Sequence, residues 1–220
     1  MLDELMTLTA TEPYCTSGGI RIKEVLIQPW ENPDAIMTLE IWVDDMSDDP
    51  HELWEITCTN LGQTDGIPLA VFGGSEIRLF DDHPLLWYRD VYFSITSTAT
   101  DIAALMGDLF IEHTNACGGW VDFHWLYSGL PETLRTLKEN QLAIPTRLKE
   151  ACFGVLDRHG VSYRVNSMEE SDRRYRLLLF SCELNWPDKE NFRQPHIIAE
   201  GFSARRVEKQ SRLTLWLPNE

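Results

Sequence analysis

The amino-acid sequence predicts an α+β fold in which an antiparallel sheet meander is followed by three central helices and then by further antiparallel strands. Segments before residue 97 alternate between apolar and polar residues, the period of a half-buried strand. Segments between residues 100 and 160 repeat apolar residues at helical spacing, and strand-like segments return after residue 160. Because helices and strands are segregated along the chain, the α+β class is favoured.

The N-terminal 19 residues carry no sustained pattern and end in Ser17-Gly18-Gly19. Residues 1–19 are therefore predicted to form a flexible arm, with a short helix at Leu2, Leu5 and Met6. Residues 20–220 contain no Ser- or Pro-rich spacer, and they are predicted to form a single α+β domain.

The predicted meander contains five strands before residue 97. Residues 36–44 place Met37, Leu39, Ile41 and Val43 on one face, and Thr38, Glu40, Trp42 and Asp44 on the other. The remaining strands of the meander are predicted at residues 20–30, 52–60, 76–80 and 87–96. Successive strands without a helix between them are typical of an antiparallel meander.

The first predicted helix is capped near Thr98 or Thr100 and ends at Gly118-Gly119. Its apolar stripe has a clear helical spacing and consists of Ile102, Leu105, Met106, Leu109 and Phe110. Two more helices are predicted to begin at Pro131 and Pro145, because proline is well tolerated in the first turn. Residues 120–127, between the first two helices, are predicted to be extended.

The C-terminal strands are predicted at residues 161–165, 176–184, 196–205 and 212–217. Within them, the run Leu177-Leu178-Leu179-Phe180 is apolar on both faces, which suits a central strand.

The composition favours a soluble protein of a reducing compartment, and the cytoplasm is the predicted location. No window has the roughly 18 consecutive apolar residues of a membrane helix, and the N-terminus does not resemble a secretory signal. The five cysteines are widely spaced and form no Cys-x-x-Cys pair, which disfavours a disulfide scaffold or a zinc ribbon. We expect no cofactor.

The negative charge is concentrated in the first half of the chain. Residues 1–115 contain 21 Asp and Glu against 4 Lys and Arg, a net charge of −17, whereas the whole chain carries −16. Such a charge disfavours nucleic acid and membrane surfaces as partners and favours a basic protein. Solubility alone is the plainer explanation of the same charge.

Familiar catalytic motifs are missing from the sequence. It contains no Gly-x-Gly-x-x-Gly, no phosphate-binding Gly-x-x-x-x-Gly-Lys-Ser/Thr, no Gly-x-Ser-x-Gly and no His-Glu-x-x-His. The common nucleotide-binding proteins, serine hydrolases and zinc proteases are therefore disfavoured.

One polar cluster contains His113, Cys117, Asp122 and His124, which are residue types that bind transition metals. Their spacing matches no standard ligand pattern, and His113 falls on the apolar helical stripe, where a packed histidine is the commoner outcome. We predict no metal.

A second cluster is Asp82 and His83, in which the carboxylate could orient the imidazole as a general base. Asp81-Asp82-His83-Pro84 is also typical of a turn between two strands.

The partner-binding prediction rests on Trp42, Asp44, Asp45 and Glu52, which surround the acidic turn after the second strand. An exposed indole is a frequent anchor of protein interfaces, although a tryptophan is more often part of the core. The turn lacks the Asp-x-Asp-x-Asp-Gly pattern of calcium loops.

The leading hypothesis is a non-enzymatic binding domain that engages a basic protein through an acidic, Trp-bearing sheet. One alternative is a metal-assisted hydrolase built on His113, Asp122 and His124 or on Asp82 and His83. Another is a module that binds a small ligand or a carbohydrate through exposed tryptophan rings.

Overall fold

A computed structural model gives the fold of the chain. It describes residues 1–11, 14, 18–27, 34–42, 52–67, 71–73, 75–87, 91–97, 101–123, 141–170, 174–182 and 195–207. These residues form helices and antiparallel strands, so the α+β prediction is confirmed. No helix in these ranges is long and apolar enough to cross a membrane.

The elements are numbered here in chain order. The helices are α1 (Leu2–Thr9), α2 (Ile102–Cys117) and α3 (Lys149–Arg158), and a 3₁₀ turn at Thr146–Leu148 leads into α3. The strands are β1 (Gly19–Ile27), β2 (Ala35–Trp42), β3 (Glu52–Asp65), β4 (Val71–Gly73), β5 (Ser75–Phe80), β6 (Val91–Ser97), β7 (Gln141–Pro145), β8 (Tyr163–Glu170), β9 (Arg176–Cys182) and β10 (His196–Val207).

The chain divides into two compact units. The first unit contains residues 1–79, 178–187 and 194–220, and the second contains residues 80–177 and 188–193. The single domain over residues 20–220 stays a prediction.

The first unit contains a seven-stranded sheet in the order β4-β1-β2-β3-β10-β9-β5. Antiparallel pairing joins β1 to β2 and β2 to β3, so the predicted meander is present in these three strands. Its extension to five strands is wrong, because β5 lies next to β9 and β6 belongs to a different sheet. Strand β9 lies between β10 and β5, in agreement with the prediction that its apolar run forms an interior strand.

Strand β3 is longer than its sequence pattern predicts. Pairing with β10 continues to Asp65, and a bulge between Ile198 and Ala199 absorbs the extra residue near Gly62. Asn60, two residues before Gly62 on β3, has a φ of 50°. Its backbone N–H donates a hydrogen bond to Asp34 Oδ1 at 3.0 Å. Asparagine tolerates this left-handed conformation better than most residues.

The core of the first unit lies on one face of the large sheet. The alternation in β2 and β3 directs Met37, Leu39, Trp54 and Ile56 to this face, where all are buried. Helix α1 packs there through Leu5, which confirms the short helix predicted at Leu2, Leu5 and Met6. The stretch predicted to be an arm therefore contributes to the core.

The second unit contains the three-stranded sheet β7-β6-β8 and the helices α2 and α3. Leu105 and Leu109 of α2 share its core with Val155 and Leu156 of α3. The residue that caps the start of helix α2 is Asp101, whose side chain accepts a hydrogen bond from the Ala104 N–H at 3.1 Å, rather than Thr98 or Thr100. It ends at Gly118, in the left-handed conformation, as predicted.

The structure adds two strands that the sequence patterns did not predict, β4 and β7. Both have three to five residues, too few for alternation to be recognised. The third helix begins at Lys149, after Pro145 closes β7. The helix predicted from Pro131, most of the extended segment at 120–127 and the strand at 212–217 lie outside the described residues.

Candidate functional site

The acidic turn lies between β2 and β3 of the first unit. Residues 43–51, called the acidic loop below, contain Asp44, Asp45, Asp48 and Asp49 and no Lys or Arg. This loop is outside the described residues, whereas the residues on either side of it, Trp42 and Glu52, are described. Trp42 is the last residue of β2 and Glu52 is the first residue of β3.

Trp42 is buried, with only 2% of its surface exposed. The guanidinium carbon of Arg21 lies 4.9 Å from the centroid of the indole ring, within the range of a cation–π interaction. The Arg21 Nε donates a hydrogen bond to Glu40 Oε2 at 2.6 Å, and Lys23 Nζ is 3.4 Å from Glu40 Oε1. The ring is therefore part of a packed ionic cluster.

Close packing around Gly18 further restrains Trp42, the residue before the acidic loop. The Gly18 N–H donates a hydrogen bond to the carbonyl of Tyr14 at 2.7 Å. A Cβ atom at position 18 would lie 2.7 Å from the Trp42 carbonyl oxygen and would also overlap the Tyr14 ring. Only glycine fits between these two residues without a shift of the backbone.

The Glu52 end is held by hydrogen bonds. The indole N–H of Trp54 donates to Glu52 Oε2 at 2.7 Å, and an Arg206 N–H donates to Glu52 Oε1 at 2.6 Å. Ile41 and Glu52 form the last pair of the β2–β3 ladder. The two residues that flank the acidic loop, Trp42 and Glu52, are therefore held in the sheet.

Several carboxylates on the strands of this sheet are paired with arginines. Glu40 pairs with Arg21, Glu52 with Arg206, and Glu55 with Arg205, which faces it directly across β3 and β10. In each pair the arginine offsets the negative charge of the carboxylate. The segment that holds the four aspartates of the acidic loop contains no Lys or Arg.

The predicted metal cluster lies in the second unit. His113 is buried on α2, and its ring meets the Phe123 ring edge-on, with centroids 5.6 Å apart. Burial lowers the pKa of His113 below its ordinary value, and the charge of nearby Asp122 opposes this shift. Asp122 is exposed, and His124 lies outside the described residues.

Cys117 lies one turn after His113 and is also buried. Burial raises the pKa of its thiol to about 11, with a further contribution from Cys152. Within the ranges that the structure describes, no group of three His, Cys, Asp or Glu side chains is arranged to bind a metal ion.

Asp82 and His83 lie in the turn after β5. The Asp82 carboxylate accepts one hydrogen bond from the Trp87 indole N–H and one from Arg147, each at 2.7 Å. The buried His83 ring meets the Trp120 ring at 4.7 Å, and its Nδ1 accepts a hydrogen bond from the Leu85 N–H at 3.3 Å. These hydrogen bonds and ring contacts hold the turn in place.

The structure thus brings His113 close to Asp122 and places Trp42 and Glu52 at the two ends of the acidic loop. Sequence reasoning missed Arg21 and Arg206, which complete the base of that loop. The strand pattern already placed Glu40 and Trp42 on one face, but which base opposes them depends on the pairing register. Comparisons with protein-family models, curated proteins and solved structures found no significant match to this chain.

Proposed function

We propose that this protein is a non-enzymatic binding domain whose acidic loop engages the basic surface of a protein partner. The observation that carries this proposal is the contrast between the loop and its base. Four aspartates, in a segment without Lys or Arg, lie between two strand ends, one buried at Trp42 and the other hydrogen-bonded at Glu52.

The base supports binding because the residues on either side of the acidic loop are held in the sheet. Ordering a loop opposes association, so a loop restrained at both ends loses less entropy on binding. In this proposal Asp44 and Asp45 contact the partner, whereas Trp42 and Glu52 hold the loop from beneath. The indole is therefore an internal support and not a contact residue.

Electrostatics supports a basic partner. The net charge of −17 over residues 1–115 creates a negative field that accelerates encounter with a positive surface. Pairing with arginine reduces the contribution of Glu40, Glu52 and Glu55 to that field. Because such contacts are screened by salt, the complex should weaken as ionic strength rises.

The test is binding of the purified chain to a panel of basic proteins with isoelectric points above about 9, measured by calorimetry at several salt concentrations. The decisive variant converts Asp44, Asp45, Asp48 and Asp49 to asparagine. Because exposed ion pairs contribute roughly 0.2–1 kcal/mol each, we expect affinity to fall about 10- to 100-fold.

The matched control removes the same amount of charge elsewhere, by Asp3→Asn, Glu4→Gln, Asp122→Asn and Glu150→Gln, all at exposed positions. It should reduce affinity much less. The proposal fails if no basic protein forms a salt-sensitive complex, or if the control variant weakens binding as much as the loop variant does.

A further inference from the structure

Helix α2 has a second face, largely apolar, whose residues are exposed. Its inner side consists of Leu105, Leu109, His113 and Cys117, all of which are buried. At about 100° per residue, the opposite arc of roughly 120° consists of Ala103, Ala104, Gly107, Phe110, Ile111 and Thr114. All six are exposed, and this set is called the outer face below.

The outer face contains no charged residue. Phe110 and Ile111 expose 51% and 55% of their surface, although the helical stripe in the sequence placed Phe110 in the core. The charged residues within α2 are Asp108 and Glu112, which lie on the flank next to α3. There Asp108 Oδ2 is 2.9 Å from His159 Nε2, and Glu112 Oε1 accepts a hydrogen bond from Arg158 at 3.1 Å.

A helix that is apolar on both sides is normally covered on both sides. The exposed Phe110 ring is also steadied, because it meets the Phe123 ring edge-on with centroids 5.4 Å apart. The outer face therefore presents a defined apolar surface.

Gly107, at the centre of the outer face, is not required by the fold. Its backbone is helical, and a Cβ atom placed there would meet nothing within 4 Å. Glycine weakens the interior of a helix, so its presence here indicates another role. A position without a side chain allows a second backbone to approach closely.

The residues around Gly107 are arranged so that the face complements itself. Ala103 and Ala104 lie four and three residues before Gly107, whereas Phe110 and Ile111 lie three and four residues after it. Two such helices packed antiparallel about a two-fold axis at Gly107 would place Phe110 and Ile111 of one copy against Ala103 and Ala104 of the second copy. A parallel pair would place the large residues against each other.

We propose that two copies of this chain associate through the outer face of α2, antiparallel, with the two-fold axis at Gly107. Such an interface is isologous, since each copy contributes the same residues. One helix pair buries less than the roughly 1,600 Å² of a standard interface, so dissociation constants on the order of 10–100 μM are expected.

Salt distinguishes self-association from binding of a basic partner. Each copy carries a net charge of −16, so two copies repel each other, and added salt screens that repulsion. Self-association should strengthen with salt, whereas the complex with a basic protein should weaken.

The test is sedimentation velocity of the full chain between 1 and 300 μM, at low and high salt, with Gly107→Leu as the main variant. Leucine fills the open space at Gly107 and favours the helix, so the melting temperature at low concentration should be unchanged or higher. The dissociation constant should rise at least about tenfold, as at the centre of an interface. Ala116→Leu adds comparable bulk to α2 outside the outer face and should leave self-association unchanged.

Crosslinking tests the symmetry. Gly107→Cys lies on the proposed axis and should form a disulfide between copies under mild oxidation by oxidised glutathione, with release of two equivalents of reduced glutathione per disulfide. Thr114→Cys lies two turns from the axis and should not. The inference is overturned if the chain is monomeric throughout this concentration range, if Gly107→Leu associates as the unmodified chain does, or if Thr114→Cys crosslinks as readily as Gly107→Cys.

Discussion

Arg21 and Trp42 are diagonal neighbours across β1 and β2, and the Arg21 guanidinium lies over the indole ring while it pairs with Glu40. This arrangement connects the buried end of β2 to a carboxylate whose side chain is only 8% exposed. Arg21 therefore contacts both the indole ring and the Glu40 carboxylate, and its removal should affect both.

Replacement of Arg21 by alanine should lower the free energy of unfolding by about 1–2 kcal/mol, because Glu40 would keep a largely buried charge with only Lys23 beside it. Arg205→Ala should lower it by less than about 1 kcal/mol, since the Arg205 side chain is 72% exposed. Urea unfolding followed by circular dichroism measures both. Equal losses of unfolding free energy in the two variants would contradict the prediction that Arg21 stabilises the fold more than Arg205 does.

Gly18→Ala should destabilise the first unit by roughly 1–3 kcal/mol, because the new methyl group would overlap Tyr14 and the Trp42 carbonyl. The control is Gly201→Ala in the same unit, where the nearest atoms would be 3.7 Å away on Thr59, an ordinary contact distance. It should change stability by less than about 0.5 kcal/mol. Thermal unfolding of both variants tests this, and a neutral Gly18→Ala would show that the packing is looser than described.

The buried His113 should make stability depend on pH. Since its folded pKa is lowered, the unfolded chain binds the proton more readily, and stability present above pH 6.5 should decline as pH falls through the unfolded pKa. The stability advantage over His113→Gln should therefore shrink between pH 7.5 and pH 5. Nuclear magnetic resonance titration of the imidazole gives a direct check, and a midpoint at or above 6.5 would refute the prediction.

The buried thiols should resist alkylation in the folded protein. Burial raises the pKa of Cys58 to about 12, with a contribution from Asp34, and that of Cys117 to about 11, so little thiolate is present at pH 8. Iodoacetamide labelling followed by peptide mass spectrometry should show slow modification of both residues in buffer and rapid modification in urea. Rapid labelling of either thiol in buffer would indicate that its surroundings open frequently.

Much of the secondary structure could be predicted from the sequence because alternation and helical spacing are local properties. The pattern in residues 36–44 identified β2 and its inner face, and Gly118 marked the end of α2. Short strands such as β7 escaped because five residues hold too little periodicity, and β3 extended beyond its predicted end because β10 pairs with it.

The candidate sites were less accessible to sequence reasoning. Trp42 falls on the polar face of its predicted strand, yet it is buried and Arg21 from another strand lies over its ring. Phe110 looked like a core residue because it shares a stripe with Leu105 and Leu109, yet it is half exposed. Periodicity identifies an apolar face, but the neighbouring elements decide how much of that face is covered.

The sequence by itself determined the class of fold, the positions of most strands, the end of α2 and the concentration of negative charge in the first half of the chain. Only the tertiary structure decided which bases pair with Glu40 and Glu52, and that one face of α2 stays open. The physical reason is that backbone preferences and charge counts depend on neighbouring residues, whereas pairing and burial depend on residues distant in the chain.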